Sequence, residues 1–374
     1  MNIMANSSDR IPFVDLGPQW EAIRDGLLPE MQRLFETHAY CLGPYAERFE
    51  QEVSEFLKVP HAIGVNSGTS ALHLATIVAG IGPGDEVLVP AQTFIATAWG
   101  VIYAGATPVL CDVERRTGTI DVADAERRIT KRTKAIIPVH LFGQPADMKG
   151  VMALAERHGL KVIEDAAQAI GASYGGRSIG TIGQTGCFSF YPGKNLGAAG
   201  ESGLVVTSDD SIAERLRSLR NHGQSVRYRH DEVGYNYRME GIQALVLSHK
   251  LRHIAKWTER RREIAKRYNE TLSDLPLQVP HQIHQDHVYH LYILLTERRD
   301  ALRDHLSAKG IDTGLHYPIP VHAQPCFQRY VPAGAYYPEA QRYGDHCLSL
   351  PMFFGLSDAQ VGKVIDEVRA FFKG

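Results

Sequence analysis

The sequence has few cysteines: five stand among its 374 residues, at positions 41, 111, 187, 326 and 347. They are scattered and odd in number, and no two of them have the spacing of a zinc finger or a redox motif. A disulfide-rich scaffold is therefore excluded as a class. Reduced, buried thiols in a cytosolic protein are the expectation.

The sequence also lacks a strong charge of one sign and a long apolar run. Its formal net charge is −2 and it has no long basic stretch, which argues against a nucleic-acid partner. The longest apolar stretch, 71–81, contains His73 and Thr76 and is too short to span a bilayer. The first ten residues are polar and have no apolar core of a signal peptide. We therefore expect a cytoplasmic protein with no membrane partner.

The chain is long enough for two domains and a large core. Between about residues 60 and 210, short β-rich runs alternate with helical stretches, and the β-rich runs are continuously apolar. This pattern predicts an α/β fold whose mainly parallel sheet is covered by helices on both faces.

The C-terminal third of the sequence predicts a smaller α+β unit. Residues 239–272 predict one long charged helix, with 256–263 on a solvated face. Residues 288–295 predict a strand, and a helix closes the chain. We place the domain boundary so that 1–249 forms the large domain and 250–374 the small one.

A lysine and an aspartate carry the candidate chemistry. Lys194 follows an apolar strand that breaks at Pro192-Gly193, so that its amine is presented at a turn. Asp165 ends another apolar run, where open α/β sheets place their ligands, although a helix N-cap is the simpler interpretation of it alone. The pair suggests a pyridoxal phosphate (PLP) site. In such a site the lysine holds the cofactor aldehyde as a Schiff base, and the carboxylate keeps the pyridine nitrogen protonated.

The segment Asn66-Ser-Gly-Thr-Ser70 suits the phosphate of such a cofactor. It follows a predicted strand and opens a helix, whose free N–H groups and dipole attract an anion. Gly68 lets the backbone approach an anion closely. Ordinary N-capping is the alternative for this segment, and the presence of Lys194 favours the phosphate site.

Three side chains fit the remaining parts of a flat, phosphorylated ring. Gln168 stands three residues after Asp165, on the same side if the segment turns helically, within reach of a ring hydroxyl. Ser189 lies between two phenylalanines and points opposite to both, toward a phosphate or simply filling space. Phe94 is able to stack on the ring, although an aromatic at this position taken alone is more often part of a core.

Two other patterns in the sequence, a P-loop-like segment and a histidine series, do not predict a functional site. The segment Gly186–Lys194 superficially resembles a P-loop, but six residues separate its glycines and Asn195 replaces Ser or Thr. A histidine recurs at every third position, at His281, His284, His287 and His290. Because 288–295 is predicted as a strand, this spacing does not align the rings on one face. We interpret them as exposed loop histidines and expect no metal site.

The chain resembles the PLP-dependent nucleotide-sugar aminotransferases of the DegT/StrS type, from Ile11 to the C-terminal helix. The resemblance is specific because several motifs appear in order. They are Asn66-Ser-Gly-Thr-Ser-Ala-Leu-His, Pro90-Ala-Gln-Thr-Phe, Glu164-Asp-Ala-Ala-Gln, Phe188-Ser-Phe-Tyr-Pro-Gly-Lys-Asn-Leu-Gly, Gly234-Tyr-Asn-Tyr-Arg-Met and His316-Tyr-Pro-Ile-Pro.

The resemblance implies fold type I, the aspartate aminotransferase architecture, and a set of cofactor contacts. Lys194 corresponds to the Schiff-base lysine, Asp165 to the partner of the pyridine nitrogen, and Gln168 to the partner of the ring hydroxyl. The remaining cofactor positions, which contact the phosphate or stack on the ring, match Thr69, Ser70, Ser189 and Phe94.

The resemblance further implies a homodimer with shared active sites. Asn236 matches a phosphate contact that comes from the other subunit. Arg238 corresponds to a position near the donor carboxylate, also across the interface. His316 and Tyr317 match positions close to the sugar substrate.

The activity implied is transfer of an amino group from glutamate to a nucleotide-linked keto-sugar in amino-sugar biosynthesis, with PLP cycling through pyridoxamine phosphate. The opening Ile11-Pro-Phe-Val-Asp-Leu and the His316 motif resemble most the members acting at sugar carbon 3, but carbon-4 and cyclitol-type members share the core motifs. One alternative is a PLP-dependent dehydratase or lyase, although dehydrating relatives carry histidine in place of Lys194. A non-enzymatic regulator of the same fold is the other, and an intact set of Lys194, Asp165 and Gln168 argues against it.

Overall fold

A computed structural model of the chain describes residues 10–281 and 286–373. The polar segment 1–9 and His284 lie outside these residues. The helices are α1 (Gly17–Thr37), α2 (Pro44–Leu57), α3 (Gly68–Val78), α4 (Ala96–Tyr103), α5 (Val122–Arg127), α6 (Met148–His158), α7 (Asp210–Leu219), α8 (Gly241–Leu251), α9 (Ile254–Leu272), α10 (Arg299–Ala308), α11 (Pro338–His346) and α12 (Asp358–Lys373). Across the described ranges, none of these helices combines the length and apolar character needed to cross a bilayer.

The strands form one large sheet and three small ones. They are β1 (His61–Val65), β2 (Glu86–Pro90), β3 (Thr107–Cys111), β4 (Thr133–Ile136), β5 (Lys161–Asp165), β6 (Ser173–Tyr174), β7 (Arg177–Ser178), β8 (Thr185–Ser189), β9 (Gly203–Thr207), β10 (Gln224–Val226), β11 (Arg229–His230), β12 (Tyr292–Leu295) and β13 (Cys347–Leu350). The large sheet has the order β1-β9-β8-β5-β4-β2-β3. Within it β9 is antiparallel to both neighbours, whereas β8, β5, β4, β2 and β3 run parallel. The predicted α/β class with a mainly parallel sheet is confirmed.

Both faces of the large sheet are buried against helices, which explains its continuously apolar strands. Val87 and Val89 of β2 belong to the cluster that contains Leu74 of α3. Leu88, between them, faces the opposite cluster, which contains Leu154 of α6. Because successive strand residues point to opposite faces, a strand buried on both sides shows no polar alternation.

A separate core surrounds the antiparallel pair of β12 and β13, with Tyr292 opposite Leu350. Residues of α9, α10 and α12 pack there, and Ile11 joins them by forming a parallel bridge with Ile311. The domain boundary predicted at residue 250 falls near the end of α8, and it stays a prediction.

The prediction of one charged helix over 239–272 was wrong in two respects. The chain forms α8 and α9, with a break at residues 252 and 253. Trp257 and Arg261, expected on a solvated face, are buried. The reason is periodicity, since the buried side chains of α9 recur every three or four residues and form one apolar face. They are Ile254, Trp257, Thr258, Arg261, Ile264, Ala265, Tyr268 and Leu272.

The strand predicted over 288–295 is shorter than expected. Of the predicted strand, only residues 292–295, which form β12, pair with another strand, and residues 287–290 are irregular. The interpretation of the histidine series as exposed loop residues was also wrong for His287, which is buried, and for His290, which is half-buried. The His287 ring stacks on Tyr289, with centroids 3.8 Å apart, so local packing removes it from water.

Candidate active site

A cavity of about 710 Å³ opens at the carboxyl edge of the large sheet. It lies where β5 and β8 end and where α3 and α4 begin, the edge at which parallel strands deliver ligands. The positions singled out from the sequence that line it are Gly68, Thr69, Phe94, Asp165, Gln168, Ser189, Lys194, His316 and Tyr317.

Two adjacent carboxylates at the end of β5 point to opposite sides. Glu164 is fully buried and accepts hydrogen bonds from the backbone N–H groups of Gly180, Ile182 and Gly183 at 2.6–2.8 Å. His140 accepts from the Ala146 N–H at Nδ1, so its Nε2–H donates to Glu164 at 3.1 Å. Glu164 therefore fixes a turn, and its neighbour Asp165 faces the cavity.

Asp165 and Lys194 lose most of their hydration in this cavity. Oδ2 of Asp165 accepts a hydrogen bond from Thr97 Oγ1 at 2.7 Å, and Oδ1 accepts from the Ala167 N–H at 3.2 Å. Burial still raises the pKa of the Asp165 carboxyl above its usual value. Burial lowers the pKa of Lys194 to about 8, against the attraction of Asp165. The cavity therefore contains a buried carboxylate and a lysine that is neutral in a large fraction of molecules near pH 8.

The start of α3 lies against the end of β8. Ser67 caps the helix by accepting a hydrogen bond from the Ser70 N–H at 3.1 Å. A Cβ atom placed on Gly68 would lie 2.7 Å from Ser189 Cβ, so the close approach of the two segments requires glycine. Ser70 differs from the sequence expectation, because its Oγ donates to Asn66 Oδ1 at 2.7 Å and it does not line the cavity.

Gln168 is held from both ends of its amide. Oε1 accepts a hydrogen bond from the Phe142 N–H at 2.6 Å, which leaves the amine end, Nε2, to donate to the Tyr317 hydroxyl at 3.1 Å. Phe142 has a φ of 61°, in the left-handed region, and Gln168 binds its amide directly. The amide orientation is thus fixed before any ligand arrives.

Aromatic rings form the opposite wall. Phe94 is half-exposed, so it is not a core residue, and its ring centroid lies 5.6 Å from that of Tyr317. His316 stacks on Phe13, with centroids 5.5 Å apart, and its Nδ1 lies 2.7 Å from Ser349 Oγ. Burial lowers the pKa of His316 to about 4, with a further contribution from Lys194.

Asn236 and Arg238 lie elsewhere. They line a second cavity of about 520 Å³ together with Phe35, Tyr40 and Glu240. Asn236 is exposed, and its backbone carbonyl is 3.5 Å from Asn66 Nδ2. The described part of the chain therefore does not bring these two residues to the cavity that contains Lys194.

Sequence reasoning missed other residues that line the cavity. Among them are Phe13, Thr97, Trp99, Glu201, His290 and Met352. His290 belongs to the series of histidines at every third position, whose sequence pattern indicated an exposed loop. Burial, together with nearby Lys194, lowers the pKa of His290 well below its usual value.

The family model that matches the chain is that of the DegT/DnrJ/EryC1/StrS aminotransferase family, and it matches residues 22–369. The chain belongs to this family. The resemblance inferred from the motifs is thereby confirmed, and the protein is an aminotransferase.

Two curated relatives of this aminotransferase cover nearly the whole chain. One is the UDP-N-acetyl-3-dehydro-alpha-D-glucosamine 3-aminotransferase of Acidithiobacillus ferrooxidans, 45% identical over 97% of this chain and 98% of that protein. The other is the dTDP-3-amino-3,4,6-trideoxy-alpha-D-glucose transaminase of Streptomyces venezuelae, 46% identical over 96% of each chain.

Two solved structures show the same architecture as this aminotransferase. S. venezuelae DesV superposes with a TM-score of 0.95 at 45% identity, covering 98% of this chain and 99% of that one. NtdA from Bacillus subtilis, solved with bound cofactor PMP, superposes with a TM-score of 0.91 at 29% identity, covering 98% and 86%. Fold type I is therefore confirmed for this chain.

The cavity of the aminotransferase fits a phosphorylated pyridine. Gly68 has no side chain at the start of α3, and a helix N-terminus of this kind suits a phosphate. A cationic ring nitrogen would stabilise the buried Asp165 carboxylate, and the Lys194 amine would be available to an aldehyde. The residues present are thus compatible with PLP.

Proposed function

We propose that this aminotransferase uses PLP to move an amino group from glutamate to a keto-sugar carried on a nucleotide, at sugar carbon 3. One observation carries the proposal: Lys194 and Asp165 face the same cavity, where Asp165 is buried and Lys194 is half-buried. The names of the two relatives, one for a UDP-linked and one for a dTDP-linked sugar aminated at carbon 3, support the choice of substrate.

The side chains that line the cavity would bind different parts of the cofactor and the substrates. Lys194 and Asp165 would hold the cofactor, with Gln168 at its ring hydroxyl and Gly68, Thr69 and Ser189 at its phosphate. When bound, the cofactor supplies an electron-withdrawing ring that stabilises negative charge on the carbon bearing the amino group. Phe94 would cover the ring, and His316 and Tyr317 would contact the sugar.

Lys194 is the group that moves the proton. With a pKa of about 8, its Nζ is neutral in a substantial fraction of molecules near that pH, whereas an ordinary lysine is almost fully protonated. A neutral amine at this position is able to take a proton from the substrate carbon and return it. Asp165 would keep its charge because the protonated ring nitrogen of the cofactor would offset the cost of burying the carboxylate.

The proposal includes a cytoplasmic homodimer with shared active sites. Asn236 and Arg238 are exposed or half-buried around a cavity distinct from the one with Lys194. Placing a partner subunit against them would let Asn236 reach the partner's phosphate and Arg238 the carboxylate of glutamate. The apolar side chains of Phe35 and Tyr40, both exposed, line the same cavity and are suited to such an interface.

A panel of half-reactions tests the proposal. The enzyme is loaded with pyridoxamine phosphate and mixed with four sugars: a 3-keto and a 4-keto form, each on UDP and on dTDP. We expect a 3-keto sugar to restore the absorbance of the aldehyde form of the cofactor. Restoration by 4-keto sugars alone would contradict the position, and restoration by none would contradict the substrate class.

Glutamate alone provides the complementary test. An aminotransferase converts its cofactor to pyridoxamine phosphate when it is given glutamate without a sugar. A dehydratase or lyase on the same fold does not accumulate that product with glutamate, and neither does a regulator. Absence of pyridoxamine phosphate after prolonged incubation would favour those alternatives.

A further inference from the structure

Four consecutive backbone carbonyls in residues 287–290 are bound by side chains. The carbonyl of His287 accepts from Arg262 Nε at 3.1 Å, that of Val288 from Asn195 Nδ2 at 2.9 Å, and those of Tyr289 and His290 from Arg261 Nη1 at 3.0 and 3.2 Å. Carbonyls in a strand are usually bound by a neighbouring strand. Here side chains replace that strand, so the course of this segment depends on them.

Arg261 is the main donor to this segment, and it lies in the interior. The same Nη1 atom also binds the carbonyl of Met352 at 2.9 Å, so its hydrogen bonds go to three backbone carbonyls. Burial lowers the pKa of the guanidinium to about 10. A buried cation is costly, and carbonyl dipoles offset that cost only where the geometry is maintained.

Two of the three residues whose carbonyls Arg261 binds belong to the cavity wall. His290 and Met352 line the same cavity as Lys194. Between His287 and His290, Tyr289 has a φ of 44°, a left-handed conformation that is strained for a bulky residue. Such a conformation persists only when its surroundings enforce it. Arg261 binds its carbonyl, and His287 Nδ1 accepts from its N–H at 2.9 Å.

Asn195 sets the orientation of the His290 ring. Its Nδ2 donates to the Val288 carbonyl, so its Oδ1 is an acceptor for Nδ1 of His290, 3.3 Å away. The proton of the neutral imidazole then sits on Nδ1, and Nε2 keeps its lone pair. Asn195 directly follows Lys194, so its two hydrogen bonds connect the loop that carries Lys194 to residues 287–290.

We propose that His290 contacts the reacting end of both substrates beside Lys194 and that Arg261 is a positioning residue acting through His290. This inference rests on the proposed function, because it assumes that both half-reactions take place at Lys194. One imidazole next to that amine would serve glutamate and the keto-sugar alike. Its loss should therefore slow both halves to a similar extent.

The experiment is a double-mutant cycle on the full-length, cofactor-loaded enzyme. The variants are Arg261→Lys, His290→Leu and both together. Arg262→Lys is the matched control, because Arg262 is the next residue on α9 and binds the same segment only at His287. Single-turnover rate constants are measured for each half-reaction per cofactor-loaded site, and melting temperatures are measured on the same samples.

We expect His290→Leu and Arg261→Lys each to slow both halves by about 10-fold or more, within the range for a lost proton-handling or orienting group. The double variant should be no slower than His290→Leu alone, because coupled residues do not act additively. Arg262→Lys should stay within about twofold of the wild type.

Several results would overturn the inference. Rate losses that multiply in the double variant would show that Arg261 does not act through His290. A lower melting temperature with unchanged rates would give Arg261 a purely structural role. If Arg261→Lys does not fold, His290→Leu decides the matter, since it leaves the arginine in place and normal rates would refute it. Wild-type enzyme inert toward glutamate would overturn the proposed function together with this inference, whereas normal variants of an active enzyme overturn the inference alone.

Discussion

The Tyr317 hydroxyl accepts a hydrogen bond from the side-chain amide of Gln168, 3.1 Å away. The same amide is fixed at its other end by the Phe142 N–H. This contact joins a residue that follows β5 to a residue more than 140 positions later, on the wall of the cavity. Removing the Tyr317 hydroxyl, and with it this hydrogen bond, is therefore a direct way to separate sugar binding from cofactor binding.

Tyr317→Phe should lower kcat/KM for the keto-sugar by about 10-fold, because one partly buried hydrogen bond is lost and the Gln168 amide loses an acceptor. The ring contact with Phe94 remains, so the cofactor should be retained. Tyr336→Phe is the control, since Tyr336 is largely exposed. Steady-state kinetics with the sugar as the varied substrate measure the effect. An equal loss in both variants would argue against the role of Tyr317.

Neutral, isosteric substitutions of the neighbours Glu164 and Asp165 should have different effects: the first should lower stability and the second should lower activity. Glu164→Gln weakens charged hydrogen bonds from three backbone N–H groups in the interior, and we expect a loss of about 3 kcal/mol in the free energy of unfolding. Asp165→Asn should leave stability nearly unchanged but lower kcat by at least about 100-fold, because a preorganised charge is removed. Urea denaturation and kinetics on both variants test this. Near wild-type turnover in Asp165→Asn would contradict the assignment.

The depressed pKa of Lys194 predicts a pH-dependent stability of the apoenzyme. Unfolding raises this pKa from about 8 to 10.5, the ordinary value for a lysine, so between these values the unfolded state binds more protons and stability rises with pH. Lys194→Met, which removes the buried amine, should therefore be more stable than the wild type by about 3 kcal/mol at pH 7. The difference should shrink to about half by pH 9.5.

Urea denaturation of both apoproteins at the two pH values measures this difference. Arg262→Met, a change at a half-exposed cation, serves as the control and should show no such trend. A stability difference that stays constant between pH 7 and pH 9.5 would mean that the lysine is solvated in the apoenzyme.

The chemistry-bearing positions that could be predicted from the sequence follow short local motifs. Asp165 and Ser189 end parallel strands, and Gly68 opens the helix after another strand, so the fold brings them to one edge. Arg261 could not be predicted in this way. It stands between two other arginines, and only its phase with Trp257 and Tyr268 on α9 shows that it points inward.

His290 was beyond sequence reasoning for a related reason. A mostly apolar run predicted a strand over 288–295, but the carbonyls of 287–290 are bound by the side chains of Arg261 and Arg262 on α9 and of Asn195, which follows Lys194. Such an arrangement depends on contacts far apart in the chain. Propensity and periodicity report only local preference, so they gave a strand where tertiary contacts hold an irregular segment.

Shared active sites predict rescue in mixed dimers. Lys194→Ala and Asn236→Asp should each be defective alone, the first in chemistry and the second in cofactor retention, since a second negative charge would face the phosphate. In a hybrid dimer, the intact Lys194 of one subunit would meet the intact Asn236 of the other. Random mixing should restore about a quarter of wild-type activity, because half of the dimers are hybrids with one intact site each.

The mixture is unfolded, refolded together and assayed at low cofactor concentration. Each variant refolded alone gives the baseline. Activity equal to the mean of the two separate samples would mean that each site is built by one subunit. Migration as a monomer in size-exclusion chromatography would contradict the dimer directly.

The bridge between Ile11 and Ile311 has a consequence for biosynthesis. About 300 residues separate these two partners, so a ribosome must finish most of the chain before Ile11 reaches its final place. At usual translation speeds this wait lasts roughly 15 to 60 s. During that interval Ile11 and its neighbour Phe13 are apolar groups without their final packing partners. Chaperones that bind apolar nascent segments should therefore have access to this stretch during that interval.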